Sequence, residues 1–175
     1  CSGLVGSEMC IRDSFKGLFR KSSNYFGIMK TVIITGTSTG IGYELSQIFS
    51  DKKFKVISLS RSSHITEISS KNIEHISFDI TSDDDHQKLI NHCKTNKIEI
   101  DILINNAGLL INKTFKEITV EDFQKIYNVN LFGVVKLIKT LFEFFSTDAH
   151  IVNISSIGGL IAVSYTHLTL PTTRL

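Results

Sequence analysis

The sequence predicts an α/β fold: one domain built in three layers as a doubly wound parallel sheet, truncated after its fifth strand. Three observations predict it. Short β-branched runs alternate with stretches whose apolar residues recur at helical spacing, from Lys30 to Ala162. The helical stretches are about ten residues or longer, enough to return the chain for a parallel neighbour. The residues that break the apolar pattern gather just past the strand ends.

Thr31–Thr35 is an uncharged β-branched run, the pattern of a strand covered on both faces. From Gly40 to about Lys52, Ile41, Leu45, Ile48 and Phe49 fall on one helical face. Phe54–Ser60 reads as the second strand and Ile73–Phe78 as the third, with a short weak helix at His64–Ser70 between them. Thr81 to about Asn96 predicts a helix with Asp83, Asp84 and Asp85 in its first turn, where they favour the dipole. Ile100–Asn105 is the fourth strand. Thr119 has the character of an N-cap, with Asp122 three residues on. A long helical stretch follows to about Phe145, in two pieces meeting near Asn128–Asn130, and His150–Ser155 is the fifth strand.

Composition narrows the function classes. Apolar residues make up 42% and charged residues 21%, the balance of a globular protein. A net charge of +2 gives no case for nucleic acid or an acidic membrane surface. No apolar run reaches the roughly 18–20 residues of a membrane span. Cys1, Cys10 and Cys93 form no metal-binding or disulfide pattern, which points to a reducing, cytoplasmic setting. The three adjacent aspartates lack spaced ligands and read as helix capping rather than a metal site.

The ends differ from the middle. Residues 1–28 have no clear period and read as a non-native or disordered leader. Residues 29–162 form the predicted domain, and 163–175 a Thr-rich tail with the only proline, Pro171. Residues 1–14 and 163–175 resemble translated sequencing-adapter sequence, with Met29 as the native start. A domain cut there would leave the edge of its fifth strand uncovered, which predicts poor solubility.

The chemistry-bearing residues follow the strands: Gly36 after the first, Ser60 and Arg61 after the second, Asp79 after the third, Asn106 after the fourth and Ser156 after the fifth. Ligands of doubly wound sheets bind beyond those ends. In Thr35–Gly42, Gly36 permits a tight turn, Gly40 allows close approach to a pyrophosphate, and Gly42 lets the helix pack on the sheet. Free N–H groups at the helix start, near Ile41, would face the phosphates, with hydroxyl donors from Thr37 and Ser38. No Gly-Lys-Ser/Thr follows, so this is not a P-loop.

Gly36-x-x-x-Gly40-x-Gly42 is similar to the cofactor signature of the short-chain dehydrogenase/reductase family. Asn105-Asn106-Ala107-Gly108, Asn128-Val129-Asn130 with Gly133, and Val152–Ser156 resemble three further motifs of that family, in its order. The resemblance covers Lys30–Ala162 and implies a Rossmann-like fold, NAD(P) binding, a small carbonyl or alcohol substrate and a homo-oligomeric parent enzyme. It implies that Asp79 holds the adenine amino group and Ile80 offers a backbone N–H. Asn106, with Ala107 and Gly108, would border the ribose. Asn130 would be the catalytic asparagine and Ser156 would bond the substrate oxygen, with Asn128 and Ser155 as alternates. Leu109, Leu110, Ile157 and Gly158 would line the substrate mouth.

Cofactor preference can be read from the second strand. An NAD site wants an acid at its end to accept from the 2′-hydroxyl. Here Ser60 is neutral, and Arg61 and Ser62 follow; a guanidinium pairs with a phosphate, so NADP(H) is expected over NAD(H). The family's Tyr-x-x-x-Lys pair is missing: Thr169 stands four residues after Tyr165, and no lysine follows Lys139. The chain as written is therefore expected to be inactive. A non-catalytic NADP(H)-binding module and another doubly wound fold, such as a flavodoxin-like one, are the rival readings.

Overall fold

The computed structural model describes residues 29–62 and 72–156. The leader, the short helix expected at His64–Ser70, Ile157, Gly158, Tyr165 and the tail lie outside the described residues. Five parallel strands form one sheet in the order β3-β2-β1-β4-β5. They are β1 (Thr31–Thr35), β2 (Lys55–Ser60), β3 (Ile73–Ser77), β4 (Ile100–Asn105) and β5 (Phe145–Asn153). β1 has β2 on one side and β4 on the other. The chain changes direction across the sheet there, which opens a crevice at the carboxyl ends.

The alternation along each strand sorts the core into two layers. Val32 and Ile34 of β1, with Val56, Ile102 and Ile104, pack on Leu45 and Phe49 of α1 (Gly40–Asp51). Ile33, with Ile57, Leu59 and Leu103, faces the other way. It meets Leu89 and Cys93 of α2 (Asp83–Thr95) and Leu137 and Leu141 of α4 (Gly133–Leu141). The sheet is thus covered on both faces, and the three-layer doubly wound arrangement stands.

Local chemistry sets the helix starts. Ser82 caps α2, its side chain accepting from the Asp85 N–H. Thr119 caps α3 (Val120–Tyr127) in a full capping box with Asp122, the pairing its spacing predicts. Between α3 and α4 lies one π-helical turn, Asn128–Phe132. The two helical pieces meet where the sequence placed the junction, and the backbone stays helical through it. Such turns widen the ring by one residue and are frequent at functional sites.

β5 departs from expectation at both ends. The helix stops at Leu141, a short 3₁₀ turn spans Phe142–Phe144, and the strand begins at Phe145 instead of His150. Phe144 and Phe145 pack on the core, so the chain pairs with Ile100 early and absorbs the extra residues as an irregularity before His150 meets Ile102. The ladder closes at Asn153 because β4 ends at Asn105, its partner. Among the described residues, no helix is long and apolar enough to cross a membrane.

Candidate functional site

A cavity of about 580 Å³ opens at the carboxyl ends of the strands. Its floor is the turn after β1. Gly36 sits at φ +69° and Gly40 at φ +63°, both in the left-handed region that glycine enters without penalty. Gly36 N–H donates to the Leu59 carbonyl of β2 at 2.8 Å. Asn106 holds the turn from β4: its Nδ2 donates to the Thr35 and Gly36 carbonyls, both at 3.0 Å. Thr35 Oγ1 in turn accepts from the N–H groups of Asn106 and Ala107 at 3.0 and 2.9 Å. Gly42 is the close-packing point: a Cβ there would meet the Gly36 carbonyl oxygen and lie 2.5 Å from Asn106 Nδ2.

The start of α1 is built unlike the others. Thr39 makes no side-chain cap bond, and no acidic residue lies in the first turn. Its first N–H groups therefore lack the side-chain acceptors that Ser82 and Thr119 provide to α2 and α3. That end fits an external anion.

One wall comes from β2. Ser60, Arg61 and Ser62 line the cavity. The Ser60 hydroxyl donates to the Ser62 carbonyl at 2.8 Å and lies 3.0 Å from His75 Nε2, so it is already committed. Next to it, after β3, the loop from Phe78 to Thr81 continues the lining, with the Phe78 N–H donating to the Ser60 carbonyl at 3.1 Å. Both the N–H and the hydroxyl of Thr81 donate to Asp79 Oδ1, at 2.8 and 2.7 Å. The Thr81 hydroxyl, then its N–H, hold the Asp79 carboxyl below the usual range, with Arg61 adding to the effect against partial burial.

Of the residues picked from sequence, Gly36, Ser38, Ile41, Arg61, Asp79, Ile80, Asn106, Ala107 and Gly108 meet at this cavity. Gly40 and Gly42 shape it from behind. Thr37 does not offer its hydroxyl there. It is fully buried, with Oγ1 2.6 Å from Ser58 Oγ of β2, because the turn folds that side chain under the sheet end. Asn130 stands one bond away: its Oδ1 accepts from Leu109 N–H at 2.7 Å and its Nδ2 donates to the Leu109 carbonyl at 3.0 Å. That pairing holds the loop after β4, and Leu109 itself lines the cavity. Ser156 is exposed, three residues past the end of β5, and is not among the lining residues.

Sequence reasoning passed over Lys125 and Val129, which line the cavity with Asn128. Their spacing was the available signal: positions i, i+3 and i+4 share one helical face. Lys125 and Arg61 give the lining two cations against the one anion, Asp79.

The comparisons with known proteins agree with this geometry. A family model described as short chain dehydrogenase matches residues 30–168. The ketoacyl reductase HetN of Nostoc is 29% identical over 145 residues, 78% of this chain and 50% of that protein. The chain thus spans about half the length of that curated relative. A short chain dehydrogenase from Leptospira borgpetersenii with bound NAD+ superposes with a TM-score of 0.72 at 27% identity, over 84% of this chain and 62% of that one. ElxO with bound NADP gives a TM-score of 0.68 at 29% identity, over 81% and 61%.

Proposed function

The chain belongs to the short-chain dehydrogenase family, and on that premise we propose that it is the nucleotide-binding part of an NADP(H)-dependent oxidoreductase. The reaction moves a hydride between the nicotinamide and the carbonyl or alcohol carbon of a small molecule. The observation that carries this reading is one cavity where the uncapped start of α1, Arg61, Asp79 and Asn106 converge. The nicotinamide supplies or accepts the hydride; the chain binds and orients.

The pyrophosphate belongs against the N–H groups that open α1, over the glycine corner fixed by Asn106. The Asp79 carboxylate uses Oδ1 for Thr81, which leaves Oδ2 for the adenine amino group. The ribose lies beside Asn106–Gly108. The 2′-phosphate is assigned to Arg61 and Ser62, since no acid stands at the end of β2 and Ser60 is occupied. The related structures hold NAD+ in one case and NADP in the other, so the preference rests on this chain's residues. Asn130 positions the rim through Leu109, and Ser156 is the residue we assign to the substrate oxygen.

The Tyr-x-x-x-Lys pair that would move the proton does not occur after Ser156. We therefore assign binding without turnover to the chain as it stands. The outer face of α3, the π-helical turn and α4 exposes Phe123, Tyr127, Leu131 and Val135, each between 45% and 53%. Four apolar side chains in one row support a homo-oligomeric contact through that face.

Calorimetric titration with NADP+ and NAD+ tests the reading. Tighter NADP+ binding is expected, with no turnover of simple ketones. Tighter NAD+ binding overturns the preference, and binding of neither overturns the site.

A further inference from the structure

The first turn of α2 reaches back to the cavity wall. Asp85 Oδ2 accepts from the Asp79 N–H at 2.9 Å. His86 Nε2 lies 3.0 Å from the Ile80 carbonyl oxygen, and its Nδ1 lies 2.8 Å from Thr140 Oγ1 on α4. A carbonyl only accepts, so Nε2 carries the hydrogen. In the neutral ring Nδ1 is then the acceptor, and the Thr140 hydroxyl donates to it.

The imidazole is 3% exposed and stands edge-on to Phe78, with ring centres 5.0 Å apart. Phe78 and Ile80 both line the cavity. From the other side the Gly133 backbone packs on Ile80, where a Cβ would lie 3.0 Å from Ile80 Cγ1 and Cγ2. A residue that merely filled space would need no nitrogen. Here both are committed, one to the cavity wall and one to the helix that continues from the Asn130 turn.

We propose that His86, which itself lines no part of the cavity, is a positioning residue for the nucleotide: neutral, it ties the Asp79–Ile80 wall to α4 in the arrangement that receives the adenine. This rests on the nucleotide reading above. Charging the ring converts Nδ1 from acceptor to donor and places a cation in the core. The groups facing it are Asp83 and Asp85 on its own helix and Lys136 on α4, with Lys136 paired to Asp83 at 2.5 Å. Burial is the strongest influence and disfavours the charged ring; the Ile80 carbonyl opposes it, Lys136 adds to it, and the two aspartates oppose it more weakly. Binding that needs the neutral ring must be linked to its deprotonation, and each shifts the other by the same factor. Every unit by which NAD+ lowers the imidazole pKa then corresponds to about a tenfold loss of affinity at acid pH.

The test is NAD+ binding to the full chain between about pH 8 and pH 5. NAD+ lacks the 2′-phosphate, whose own proton titrates at about pH 6. Wild-type affinity is expected to fall steadily towards pH 5, approaching about tenfold for a one-unit linkage only once the pH drops below the pKa of the NAD+-bound ring. His86→Gln can donate to Ile80 and accept from Thr140, so it should keep the neutral-pH affinity with a flat profile. Thr140→Val should weaken binding at neutral pH and keep the slope. The His86 ring-proton resonance of the wild type should titrate at lower pH with NAD+ than without. An unchanged midpoint, or a wild-type slope retained in His86→Gln, overturns the proposal. Failure of the wild type to bind either dinucleotide at any pH overturns the cavity's assignment, and this proposal with it. Where His86→Gln does not fold, the wild-type ring titration decides alone.

Discussion

Asn106 and Thr35 hold each other twice: the asparagine amide donates to the Thr35 carbonyl at 3.0 Å, and the threonine hydroxyl accepts the Asn106 N–H at 3.0 Å. The pair fastens the end of β4 to the end of β1, on either side of the crevice. The glycine corner is therefore shaped by a residue about seventy positions away in the chain.

Asn106→Asp keeps the size of the side chain and removes its donor. The carboxylate would face the Thr35 and Gly36 carbonyls, leaving two acceptors unpaired beside a negative charge. The expected loss is about 2–4 kcal/mol of stability, read from denaturant unfolding, together with weaker dinucleotide binding. Wild-type stability in this variant would show that the Asn106 bonds contribute nothing net.

Gly40 and Gly42 should fail for different reasons. Gly42→Ala puts a Cβ into the Gly36 carbonyl and within 2.5 Å of Asn106 Nδ2, and should cost about 1–3 kcal/mol by overpacking. Gly40 has nothing within 4 Å of such a Cβ, but its φ is +63°. Gly40→Ala should cost about 1–2 kcal/mol through the backbone alone, and Gly40→Asn should recover part of it because asparagine tolerates that region. Equal behaviour of Asn at both positions would contradict the distinction.

Arg61→Glu removes the cation assigned to the 2′-phosphate and supplies the acceptor that an NAD site uses. NADP+ affinity should fall about 10–100-fold, the loss of charged hydrogen bonds worth about 1.5–3 kcal/mol, while NAD+ affinity holds or rises. A parallel loss for both dinucleotides would assign Arg61 only a general electrostatic role.

Stability should fall with acid in two stages. Burial lowers the pKa of His75 and of His86 in the folded chain. A histidine kept neutral by folding contributes stability above its unfolded value of about 6.5, and this is lost as the pH drops below it. The Thr81 bonds lower the pKa of Asp79, and the bonds from Lys88 and the Asp79 N–H lower that of Asp85. Their contribution is present above about pH 3.9 and is lost below it. The urea midpoint followed from neutrality downwards should decline first in the histidine window and again in the carboxylate window. A midpoint that rises between about pH 6.5 and pH 5 would contradict the assignment of imidazoles kept neutral by folding.

The strand–helix alternation, the glycine corner, the Thr119 capping box and the helix junction at Asn128–Asn130 were all legible in the amino-acid order. Each is written in local patterns: continuous β-branched runs, glycines spaced at a turn, a cap and its partner three residues on. That order also placed Gly36, Arg61, Asp79 and Asn106 at strand ends, which a parallel sheet must bring to one edge. Tertiary structure alone decided where side chains point. It turned Thr37 under β2, gave Asn130 to Leu109, started β5 five residues early and tied His86 to both Ile80 and Thr140. These depend on contacts between segments far apart in the chain, and no local period or propensity encodes the partner a polar atom will meet across a packed layer.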